Sequence, residues 1–210
     1  KSKQRVVDHG EVFTPEWIVN DMLNLVQQET ERIDSRFLEP ACGHGNFLVK
    51  VLERKLAVVS ERYKKSQLEY EHYAILAISS IYGIDIQEDN ILEARERLLL
   101  YFEGQYKSLF KKSYKQSCLE SAQYILSLNL VCADALTMKA IQGRPIIFPE
   151  WSFINSTTIK RRDFSYTQLL ESQGNSDLPL FSDLGEEVCL PKVEKDYAPQ
   201  HFLTLGENNG

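Results

Sequence analysis

The stretch Phe37-Leu38-Glu39-Pro40-Ala41-Cys42-Gly43-His44-Gly45-Asn46-Phe47-Leu48 decides how this chain is read. A short apolar run ends in an acid and a proline, a tight turn carries two glycines, and an amphipathic run resumes at once. That succession predicts a strand, a loop lined by main chain and a helix N-terminus, the parts of a site for a small polar ligand. Pro40 stiffens the strand exit. Gly43 and Gly45 let the backbone approach a ligand with no Cβ in the way. Glu39 stands where a carboxylate accepts hydrogen bonds from an amine or hydroxyl. The rival is a nicotinamide dinucleotide loop, and the residues argue against it. The third glycine of G-x-G-x-x-G would fall at Leu48, and the ribose-binding acid should follow about 20 residues on. The best candidate for that acid is instead Asp85.

Working outward, Gly10-Glu11-Val12-Phe13-Thr14-Pro15-Glu16-Trp17 reads as a helix start, with Thr14 as a hydroxyl N-cap, Pro15 at the first helical position and Glu16 in the first turn. Ile18, Met22, Leu25 and Val26 then share one face, so an amphipathic helix is expected from Pro15 to about Glu31. Downstream, Ile81-Tyr82-Gly83-Ile84-Asp85-Ile86 is a short apolar strand ending in an acid. Asn129-Leu130-Val131-Cys132-Ala133-Asp134-Ala135-Leu136 is another. Three strands that each deliver a carboxylate at the C-terminal end describe an open α/β sheet with its ligand at the carboxyl edge. Glu39 suits an amino-acid moiety, Asp85 ribose hydroxyls and Asp134 the exocyclic amine of adenine. An adenosine ligand with a charged amino-acid tail fits all three, and S-adenosylmethionine is that ligand.

On these residues the chain resembles the DNA adenine N6-methyltransferases of restriction-modification systems. Gly10 to Pro15 looks like the family's first cofactor motif, and Leu38 to Phe47 like its D/E-P-x-C-G-x-G-x-F loop, with Glu39 in the acid position and Cys42 matched. Ile84-Asp85 and Asp134-Ala135 look like the next two motifs in order. The resemblance covers about Val7 to Leu136. It implies a Rossmann-like α/β fold in partial form, about four parallel strands with helices on both faces and an N-terminal helix. It also implies cofactor binding by Phe13, Thr14, Pro15, Glu39, Pro40, Ala41, Cys42, Gly43, Gly45, Asn46, Phe47, Asp85, Ile86, Asp134 and Ala135.

One departure decides the mechanism. In the family, a catalytic D/N-P-P-Y/F tetrapeptide follows the third acid motif and clamps the target amine beside a stacking aromatic. This chain has no Pro-Pro anywhere; its nearest candidate strand, the expected fourth, is Pro145-Ile146-Ile147-Phe148, which runs into Pro149-Glu150-Trp151, and neither Pro149 nor Trp151 is assigned catalysis. No catalytic residue and no metal ligand is named. The expected function is therefore the S-adenosylmethionine-binding subunit of a split enzyme, with a second polypeptide supplying the catalytic motif, target recognition and most DNA contacts. The alternative is a degenerate, inactive module of the same fold used for interaction. A small-molecule methyltransferase would need a substrate pocket built after the fourth strand.

At 210 residues there is room for one domain with a real core plus extensions. The reading places a cofactor domain at 1–150 and an irregular extension at 151–210 that packs on the domain or on a partner, with one short helix at Phe164 to Leu170. The net charge of -6 is unlike a chain that grips DNA unaided, and Lys160-Arg161-Arg162 reads as a solvated loop. Cys42, Cys118, Cys132 and Cys189 are scattered and fit reduced thiols. With no signal peptide and no apolar run of membrane length, a cytoplasmic protein is expected. Cys42 and His44 read as loop residues, and Tyr101, Tyr106 and Phe110 as core or interface aromatics.

Overall fold

The glycine loop is held between a short strand and a long helix, and both follow from apolar spacing. In the computed structural model, which describes residues 14–140, 143–168 and 192–208, strand β1 (Phe37–Glu39) precedes helix α3 (Asn46–Tyr63). Leu48, Val51, Leu52, Leu56 and Val59 recur at helical spacing and are all buried, each worth about 1.5–3 kcal/mol of burial. Ahead of β1 stand α1 (Glu16–Leu25) and α2 (Gln27–Glu31). The crossover after α3 contains a second helix, α4 (Gln67–Ser79), whose start is capped by the Ser66 hydroxyl. Strand β2 (Ile81–Asp85) follows, then α5 (Glu88–Phe110), α6 (Gln116–Asn129) and β3 (Leu130–Asp134).

The N-terminal helix departs from its expected form in three respects. Pro15 occupies the N-cap position with no side-chain cap, so Thr14 is not the cap. The helix breaks at Val26, where the backbone turns to φ -118° and ψ 34°, dividing the expected single helix into α1 and α2. Val19 and Leu23 are buried, whereas Met22, Leu25 and Val26 are exposed. The buried face is thus turned about one residue from the expected stripe, which α1 accomplishes through an i, i+4 pair.

The parallel strands run in the order β1-β2-β3, with Phe37 opposite Ile81 and Gly83 opposite Leu130. A fourth strand, β4 (Lys139–Ala140), joins β3 antiparallel, so the architecture is mixed α/β with a four-stranded, mostly parallel sheet. The fourth parallel strand expected near Pro145–Phe148 belongs elsewhere. Strand β5 (Ile147–Phe153) pairs antiparallel with β6 (Thr158–Ser165) in a second sheet, completed by β7 (Val193–Asp196) and β8 (Gln200–His201). The expected boundary between residues 150 and 151 falls inside β5.

Period-two alternation divides β2 between the faces. Ile81 joins the helical core. Tyr82 and Ile84 join Ala133, Ile146, Phe148 and Tyr166 in a second apolar cluster. Among the described residues, β5 and the residues flanking its sheet cover that face, where helices were expected. Polar bonds fix the second sheet: the Tyr82 hydroxyl donates to the Pro149 carbonyl at 2.8 Å, and Trp151 Nε1 donates to Asn129 Oδ1 at 2.9 Å. Pro149 and Trp151 thus take part in joining the second sheet to β2 and α6.

Lys160, Arg161 and Arg162 are not a loop. They lie within β6, on Asp196 at 2.9 Å, Asp163 at 2.7 Å and Glu150 at 2.6 Å respectively. The short helix expected from Phe164 starts where β6 ends; Phe164 itself is in β6. The 3₁₀ segment Phe202–Asn208 closes on α6, burying Phe202 and Leu205 and seating Gly206 where a Cβ would come within 2.7 Å of Glu120. The described part of the extension therefore wraps its own domain, while the apolar stretch Leu178–Glu187 and Cys189 lie outside the described residues. At the N-terminal end of the parallel sheet, fully buried Lys55 donates to the Ile33 carbonyl at 2.9 Å, the Ser80 hydroxyl at 2.7 Å and the Ser35 carbonyl.

Candidate functional site

The carboxyl ends of β1, β2 and β3 open into a cleft of about 430 Å³, within the range of small-ligand sites. Glu39, Pro40, Ala41, Cys42 and Gly43 form one wall. Asn46 and Phe47 at the start of α3 form the floor of the loop, Asp85 and Ile86 follow β2, and Asp134 and Ala135 follow β3. Thr14 reaches the cleft from the start of α1. Twelve of the sequence-expected residues thus converge. Pro15 and Gly45 do not line the cleft, and Phe13 lies outside the described residues. Gly45 turns away because its left-handed backbone (φ 82°) lies on α5, 3.0 Å from the Ala94 Cβ by the position its own Cβ would take.

The loop earns its shape from two left-handed glycines and one strand glycine. Gly43 (φ 51°) and Gly45 take a conformation that L side chains resist. Gly83 leaves room of another kind: a Cβ there would come 2.8 Å from Leu48 Cδ1 and 3.0 Å from Cys42 Sγ. Its absence lets the loop lie directly on β2, with Cys42 N donating to the Ile84 carbonyl at 2.9 Å. Burial, then the charges of Asp85 and Glu39, push the Cys42 thiol well above its ordinary value, so no nucleophilic thiolate is available.

The three acids differ in what surrounds them. Glu39 is held in the wall with its Oε2 buried and, among the described residues, without a hydrogen-bond partner. Burial, and secondarily the Asp85 charge, raise its carboxyl to about 7. An unpaired buried acceptor is costly, and a cationic donor in the cleft would relieve it. Asp85 is engaged: Oδ2 accepts from Gly43 N at 2.9 Å, and Oδ1 from Gln87 N at 2.8 Å and Asn90 Nδ2 at 3.2 Å. A carboxylate has about four acceptor positions, so it ties the loop to β2 and retains limited capacity for a ligand. Asp134 is half-buried as a residue, accepting from Leu136 N at 2.9 Å and Thr137 N at 3.3 Å, and these bonds hold its carboxyl below the usual range.

Sequence reasoning missed Val19, Met22, Gln87, Asn90, Ala133 and Leu136, which also line the cleft. Met22 was on the page as an apolar helix residue, and Gln87 and Asn90 lie just past the strand-end acid, where a helix start brings polar groups to the sheet edge. The apolar side chains of Ile86 and Leu136 stand exposed beside the second and third acids. The site thus offers an anionic pocket, a backbone-lined turn and an apolar rim. Among the described residues, no three His, Cys, Asp or Glu side chains converge as a metal site, and no helix is long and apolar enough to cross a membrane. The chain matches no family model, no curated protein and no solved structure.

Proposed function

We propose that the cleft binds S-adenosylmethionine, that the α/β domain is a partial Rossmann-like methyltransferase fold, and that the chain is the cofactor-binding part of a DNA adenine N6-methyltransferase of a restriction-modification system. The observation that carries this reading is Glu39, whose buried Oε2 has no hydrogen-bond partner among the described residues, set in the same cleft as the glycine loop and two further strand-end acids. Glu39 Oε2 fits the ammonium of an amino-acid tail, and Asp134 with the apolar Ile86 and Leu136 fits an aminopurine. The cofactor, when bound, supplies an electrophilic sulfonium methyl. This chain's residues bind and orient, and positioning accounts for most of the acceleration in such a transfer.

The catalytic tetrapeptide, target recognition and most phosphate contacts come from a partner polypeptide, since the sequence holds no Pro-Pro and carries a charge of -6. A cytoplasmic complex is the setting that fits such an enzyme. The second reading, a vestigial pocket serving as a scaffold, draws on the three internal hydrogen bonds of Asp85. Equilibrium titration with S-adenosylmethionine and, separately, adenosine tests the two. The proposal expects saturable binding that weakens at least tenfold for adenosine, which lacks the ammonium that meets Glu39. Equal affinities would remove Glu39 from the reading, and no binding of either would favour the scaffold.

A further inference from the structure

We infer that Arg97 on α5 is a positioning residue for the glycine loop, fixing the backbone of residues 43–47 in the shape that lines the cleft; what the loop then holds rests on the cofactor reading above. Arg97 does not line the cleft. Its Nη1 donates its two hydrogens to the His44 carbonyl at 2.7 Å and Asn46 Oδ1 at 2.9 Å, and His44 Nδ1 lies against the same nitrogen.

The guanidinium completes a grip whose other parts come from the same β2–α5 unit. Asp85, just ahead of α5, takes the Gly43 amide at 2.9 Å. Ala94, one turn before Arg97, lies against Gly45 so closely that an added Cβ would approach its Cβ to 3.0 Å. Residues 43, 44, 45 and 46 are therefore each held from β2 or α5. The need is physical. Two glycines at φ 51° and 82° give the free loop many conformations, and a ligand that had to order them would bind more weakly. Arg97 orders the loop beforehand, acting through His44 and Asn46.

The test uses the full chain as wild type, Arg97→Met and Arg97→Lys. Methionine keeps the stem and loses the donors, while lysine offers three donors from one nitrogen. Hydrogen exchange followed by mass spectrometry over residues 42–48 needs no ligand. We expect exchange there to quicken roughly tenfold or more in Arg97→Met and to return toward wild type in Arg97→Lys, with the rest of α5 unchanged. Unaltered exchange over 42–48 in Arg97→Met overturns the inference, as does quickening spread evenly over α5, which marks a merely structural role. In parallel, the dissociation constant for S-adenosylmethionine should rise roughly tenfold in Arg97→Met and be partly restored in Arg97→Lys; a constant unmoved by Arg97→Met overturns the positioning role. Should wild type not bind this ligand, the cofactor reading fails and the exchange result alone decides on Arg97.

Discussion

Each end of the parallel sheet holds an ionisable side chain disturbed by burial, Lys55 at one and Glu39 at the other, and the two are treated oppositely. At the N-terminal end, Lys55 is fully enclosed and donates to two carbonyls and a hydroxyl. At the carboxyl end, Glu39 keeps a buried oxygen with no partner among the described residues. Burial disturbs both, pulling the lysine down to about 7 and lifting the glutamate to about 7. Among the described residues the lysine is compensated and Glu39 Oε2 is not. The closed end is built for stability, and the open end holds a cost that a ligand can relieve.

Breaking the closed end should have the largest effect. Lys55→Met leaves the Ile33 and Ser35 carbonyls and the Ser80 hydroxyl without their donor, so urea unfolding should show a loss of about 3–4 kcal/mol. A loss under about 1 kcal/mol would mean that those acceptors find water and that the two ends do not differ as described.

Gly83→Ala probes the join between the ends. Its Cβ would meet Leu48 and Cys42 at 3.0 Å or less, predicting a loss of about 2 kcal/mol in the same assay, with ligand binding weakened as the loop is lifted. Wild-type stability would show that the loop can shift freely.

The open end gives the opposite sign. Glu39 has a folded-state value near 7, above its ordinary 4.5. Its protonated form therefore stabilises the fold below about pH 4.5, and that contribution is lost as pH rises through 7. The difference in unfolding free energy between Glu39→Gln and wild type should consequently move in favour of the variant by about 1–2 kcal/mol between pH 4.5 and 8. A flat difference would place Glu39 in ordinary solvent. Smallest is Asp134→Ala: a carboxylate bonded to two local amides should change stability by only about 0.5 kcal/mol or less, while weakening ligand binding measurably. A large loss of stability there would make the third acid a structural cap.

Much of this was legible because local periodicity needed no tertiary knowledge. Leu48, Val51, Leu52, Leu56 and Val59 announce α3 by spacing, and the strand-end positions of Glu39, Asp85 and Asp134 follow from an apolar run meeting a polar residue. The face of α1 was not legible. Trp17, Ile18, Val19, Met22, Leu23, Leu25 and Val26 put apolar residues around much of the helix, and only packing on α3 selects Val19 and Leu23. Strand β6 was hidden by Lys160-Arg161-Arg162, whose charges are satisfied by Asp196, Asp163 and Glu150, two of them on neighbouring strands. The internal bonds of Asp85 and the reach of Arg97 to the loop are tertiary facts that spacing does not encode. They also change the choice of probe: Asp85→Ala would release Gly43 and Gln87, confounding binding with loop structure, whereas Glu39→Gln alters the carboxylate that has an oxygen to spare.

The most direct test of the central claim is calorimetric titration of S-adenosylmethionine into wild type and Glu39→Gln at pH 8, where the wild-type carboxylate is largely ionised. The account predicts saturable binding to wild type and a loss of roughly tenfold or more in the variant. Equal binding to both proteins, or none to wild type, would contradict it.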